Sequence, residues 1–79
     1  MMSTAPQTPL ARTALTLLNA KGSVTVDAGL PVADLLILAE AAGKMGASMT
    51  LRRASVRPAV ELERIARAGR GRVSFDLGG

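Results

Sequence analysis

The sequence predicts an α/β domain of repeated helix–strand units, α-β-α-β-α-β, with a small three-stranded parallel sheet and a solenoid-like build. Three observations predict it. Three segments each open on a proline, carry apolar residues at helical spacing, close on glycine and run into an alternating stretch. The alternating stretches recur at nearly constant spacing, which puts Val26, Leu51 and Phe75 in equivalent places. A chain of 79 residues holds one domain.

The first helix is expected from Thr8-Pro9 through Leu10, Ala14, Leu17 and Leu18 to Gly22. Thr8 can cap it, and proline in the first turn loses no hydrogen bond while its fixed φ suits a helix. The second runs from Leu30-Pro31 through Leu35, Leu38, Ala39 and Ala42 to Gly43 and Gly46. The third runs from Arg57-Pro58 through Leu62, Ile65 and Ala66 to Gly69 and Gly71. Apolar residues three and four apart form one stripe toward a core, and glycine past a helix end accepts the left-handed conformation that closes it. Leu30 and Arg57 have no capping side chain. Asp34 in the first turn of helix 2 suits the helix dipole, and Glu40–Lys44 and Glu63–Arg67 are favourable i,i+4 pairs.

The strands are expected at 23–27, 48–52 and 72–76. Val24, Val26, Met49, Leu51, Val73, Phe75 and Leu77 would face the helices. Strands joined through helices should run parallel. In sequence order and in register, Thr25, Thr50 and Ser74 form a hydroxyl row on the other face. Asp27, Arg52 and Asp76 form a row of alternating charge beside it.

Composition narrows the function. The chain has no His, Cys, Tyr or Trp, so the usual general bases and nucleophiles are missing and an enzyme is not expected. No metal or cofactor site is expected, because neither thiolate nor clustered oxygen ligands are supplied. The absence of cysteine fits a reducing cytoplasm, and the longest apolar run, Leu35 to Ala39, is too short to span a membrane. Residues 1–7 read as a flexible polar tail and 8–79 as the domain. Charge is uneven: residues 1–40 carry a net −1 and residues 41–79, with Lys44 and seven arginines, a net +5.

Two family resemblances accompany this pattern. The spacing of the units resembles the leucine-rich repeats, with Met49, Leu51, Ala54 and Val56 where that family places Leu, Leu, Asn and Leu. Ala54 stands in place of the ladder asparagine. The resemblance implies an α/β solenoid. More weakly, residues 24–69 resemble the later half of a STAS domain, the bacterial anti-sigma-antagonist module, which implies a regulatory binding role. Asp27 is followed by Ala28-Gly29, where that family carries a phosphorylatable Asp-Ser loop.

The expected function is self-assembly or docking to a protein partner. Val73, Phe75 and Leu77 on the last strand are the candidate assembly edge, because a free parallel edge offers unpaired backbone groups. Leu36 and Ile37 widen the apolar surface of helix 2 and mark a candidate helix contact. Arg52, Arg53, Arg57, Arg70 and Arg72 are a candidate basic patch, which makes a nucleic-acid-associated protein the alternative. Ala68-Gly69-Arg70-Gly71-Arg72 has the make-up of a phosphate contact, but it leads into a strand, so its glycines read as a turn. With Phe75 the only aromatic, nucleic-acid binding would be backbone-directed and salt-sensitive.

Overall fold

A computed structural model describes residues 6–78. Three helices and three strands alternate: α1 (Pro9–Asn19), β1 (Ser23–Asp27), α2 (Val32–Met45), β2 (Ser48–Arg52), α3 (Ala59–Ala68) and β3 (Val73–Phe75), with a short 3-10 turn at Ala54–Val56. The strands form one parallel sheet in the order β1-β2-β3. Val26 lies beside Leu51 and Leu51 beside Phe75, as the alternation requires. The hydroxyl row of Thr25, Thr50 and Ser74 is in register too. The third strand is shorter than expected, although Arg72 C=O and Asp76 N–H still bond β2 at 2.9 Å each.

Each helix packs on the strand that follows it and on the next helix, with α2 between α1 and α3. Leu18, Val26, Leu35, Leu38, Met49, Leu51 and Ile65 fill the core, with alanines packed among them. Small side chains let elements come close, and α2 meets the end of α3 at Gly43. A Cβ there would lie 3.0 Å from the Gly69 carbonyl oxygen. Gly43 therefore lies inside α2 as a contact point and does not close the helix, contrary to expectation.

The helix ends depart from expectation by one residue. Thr8 caps α1 as foreseen, its Oγ1 accepting from the Ala11 N–H at 3.3 Å. At the other end Lys21, not Gly22, takes the left-handed conformation, with φ 66°. Its N–H bonds Leu18 C=O at 2.9 Å and the Gly22 N–H bonds Leu17 C=O at 2.8 Å, the paired closure of a Schellman motif. Gly46 takes that conformation after α2 as expected, but after α3 Arg70 precedes Gly71 into it. Pro31 and Pro58 sit at the N-cap itself, one place before the first helical residue, and supply no side-chain bond.

The expected tail also needs correction. Residues 1–5 lie outside the described residues, but Pro6 is buried. The Gln7 and Thr8 N–H groups donate to the Asp34 carboxylate at 2.9 and 3.2 Å, and Thr8 Oγ1 donates to it at 3.0 Å. Asp34 is fully buried. Its role extends beyond the dipole of its own helix: it ties the start of α1 to the start of α2.

Candidate functional site

The expected assembly edge is partly absorbed by the fold. Val73 and Phe75 are half-buried against the core, while Leu77 lies beyond β3 and is 61% exposed. The helix beside that edge is charged outward. Val60 shares a shallow groove of 200 Å³ with Glu63, Arg64 and Arg67, and Arg67 Nη2 donates to Glu63 at 2.6 Å. The Glu40–Lys44 pair expected on α2 does not close in the same way.

The five arginines do not converge. Arg53 sits in a left-handed turn, φ 55°, that swings its guanidinium onto Asp27. Nε donates to Oδ2 at 3.1 Å and Nη2 to Oδ1 at 3.0 Å. Register places Arg52 beside Asp27, yet the fork comes from Arg53. The Gly29 N–H, 2.7 Å from Oδ1, is the strongest influence on Asp27. With the two arginines it outweighs desolvation and holds the carboxyl below its ordinary range. Arg57 is equally engaged: Nε donates to Ala28 C=O at 2.8 Å, Nη2 to Leu30 C=O, and Nη1 to Glu61 at 3.0 Å.

Arg52 and Arg72 are exposed but lie at opposite ends of the strands, about 13 Å apart at the usual rise per residue. Arg70 faces a third place, a groove of 240 Å³ between the ends of α2 and α3, with Glu40, Lys44 and Arg67. Two staples, two separated charges and one remote side chain make no single patch.

The helix-contact pair divides as well. Leu36 is half-buried against the core. Ile37 lines a small surface groove of 180 Å³ beside Leu15, Asn19 and Met45.

An apolar surface that the sequence pattern did not mark as a site lies at the other end of the sheet. α1 and β1 enclose an open groove of 410 Å³ lined by Leu10, Thr13, Ala14 and Leu17 with Val24 and Val26. Pro9 and Thr25 complete it, and none of its residues is charged. Leu10 is 57% and Leu17 49% exposed. The Thr13 hydroxyl donates to Pro9 C=O within its own helix at 3.2 Å, so its donor is satisfied within the helix. Among the described residues no strand pairs with the outer edge of β1. A signal was available: Leu10, Thr13 and Leu17 form a second helical stripe beside Ala11, Ala14 and Leu18.

Asp27, Asp34, Glu61 and Glu63 are occupied by structure. Burial is the largest influence on Asp34 and pushes its pKa up. The Gln7 and Thr8 donations, with Arg12 nearby, together outweigh it and hold the group below its ordinary value. Asp27 is clamped by Arg53, and Glu61 and Glu63 pair with arginines one turn away. Among the described residues no three potential ligands cluster for a metal ion, and no helix is long and apolar enough to cross a membrane. Comparison with protein families, curated proteins and solved structures finds no match to this chain.

Proposed function

We propose that this chain is a non-enzymatic interaction module that assembles by polypeptide pairing at the α1/β1 end of its sheet, with copies of itself or with a protein partner. One observation carries the reading: a charge-free groove lies directly beside an unpaired strand edge. An apolar groove gives burial and a free edge gives directional main-chain bonds, the combination used in strand addition. The absence of His, Cys and Tyr, and the engagement of Asp27, Asp34, Glu61 and Glu63 in ion pairs or hydrogen bonds, support a binding role over catalysis. The build fits a short α/β solenoid, whose units bury their faces against neighbours, and the cysteine-free composition fits the cytoplasm. Nucleic-acid association is the weaker reading, since Arg53 and Arg57 are held by Asp27, Glu61 and two loop carbonyls.

Light scattering across concentration and salt tests the proposal. Assembly driven by apolar burial and strand pairing should persist to about 1 M salt, where counterion-driven binding fails. A folded monomer at tens of micromolar overturns assembly with copies of itself, and association that dissolves as salt rises overturns the apolar pairing.

A further inference from the structure

Resting on that reading, we infer that the occupant of the α1/β1 groove is a second copy of this chain, related by a two-fold axis, so that the two β1 strands pair antiparallel at the centre of a six-stranded sheet.

The two ends of the molecule decide between the ways copies can meet. Head-to-tail stacking would lay α3 of one copy on α1 of the next. That places Glu63, Arg64 and Arg67 against a groove with no charged residue. Desolvating those groups against apolar surface is costly and nothing there answers them. The two-fold arrangement instead lays Leu10 and Leu17 against the same residues of the partner, apolar on apolar, and it closes at two copies.

The sheet geometry allows it. All three helices belong to one layer, because the inward faces of the strands carry the buried side chains and the outward faces are polar. A two-fold axis normal to the sheet keeps both helical layers on one side and reverses the strand direction, which is the requirement for antiparallel edge pairing.

The register follows from which backbone groups point outward. Ala28 N–H bonds Arg52 C=O on β2 at 2.9 Å. By alternation Val24 and Val26 also turn their N–H groups inward to β2, and Ser23, Thr25 and Asp27 turn theirs to the free edge. Centring the axis on Thr25 pairs every outward group along the five residues of β1. It sets Thr25 against its own copy and Val24 against the partner's Val26, with both valines facing the helices. Threonine and β-branched pairs across strands are favourable. β3 offers a poorer edge, with three residues.

The chain has no cysteine, so a single introduced thiol reports the geometry. Facing residues of an antiparallel hydrogen-bonded pair lie about 5.5 Å apart at Cα, inside the range that a disulfide spans. Thr25→Cys should oxidise to a covalent dimer and stop there, while Ser74→Cys on β3 should not cross-link. Leu17→Glu, at an exposed position, should keep the circular dichroism of the parent and weaken the dimer at least about tenfold. If the parent assembles but Thr25→Cys fails to cross-link, the two-fold pairing is wrong and the interaction reading survives. If the Thr25→Cys, Ser74→Cys double variant forms a ladder of higher species, stacking is head-to-tail and the inference is overturned. A parent chain that stays a folded monomer at tens of micromolar sinks this inference and the self-assembly half of the reading with it.

Discussion

Lys21 shows how a single position can carry strain without glycine. It closes α1 at φ 66°, a conformation that costs a residue with a Cβ roughly 1 kcal/mol. Lys21→Gly should therefore raise stability by about 1 kcal/mol, read as a later urea midpoint at unchanged slope. Gly22, the neighbour that sequence logic assigned to this job, is needed for a different reason: a Cβ there would come within 3.1 Å of Leu17 C=O. Asp34 is the other decisive residue. Asp34→Asn keeps the shape but sets an amide against the Gln7 and Thr8 N–H groups, and should cost about 1–3 kcal/mol. The pH dependence follows from the sign of the shift. The folded pKa lies below the unfolded one, so the carboxylate's contribution is complete above about pH 4 and is lost as pH falls through the folded value. Asp27 shifts in the same direction, so Asp34→Asn should flatten the acid limb of a stability–pH curve without abolishing it.

At the scale of elements, α2 organises the molecule. Helices flank it on both sides, which is why Asp34, Leu35, Leu38, Ala39, Ala41 and Ala42 are all buried and its apolar residues exceed one stripe. Its tightest contact is Gly43 against the C-terminal turn of α3, where the neighbour is backbone and yields little. Gly43→Val should destabilise by about 2 kcal/mol despite the usual helix penalty of glycine, measurable by thermal unfolding. Arg57 joins elements that the chain separates by 29 residues, from Ala28 to the start of α3. Arg57→Lys retains the charge but cannot span two carbonyls and a carboxylate with one planar fork. A loss of about 1–2 kcal/mol is expected, accompanied by faster amide exchange in the 28–31 loop.

Across the whole molecule the two ends of the sheet are unlike. The β3 end carries charged side chains on α3 and half-buried Phe75, so Phe75→Ala should cost about 2 kcal/mol, less than the 3–5 kcal/mol of a fully buried aromatic. The β1 end is apolar and, among the described residues, its outer edge is unpaired. Amide exchange distinguishes them: the outward N–H groups of Thr25 and Asp27 should slow as concentration rises, while those of Val73 and Phe75, which face the free edge of β3, are unchanged. Equal protection at both ends would mean stacking in an open array.

The pattern of the sequence determined the element order, the parallel pairing and the register. Period-two alternation leaves one way to bury Val26, Leu51 and Phe75 together, and spacings of near-equal length align them. What only the tertiary structure decided are the contacts between groups far apart in the chain. Asp34 meets Gln7 and Thr8 across 27 and 26 residues, and Arg53 reaches Asp27 because its own left-handed turn redirects it past Arg52. Local pattern encodes which face a residue occupies. It does not encode which face the neighbouring unit leaves uncovered, so the open apolar end emerged at α1 and β1 only once the helices were packed.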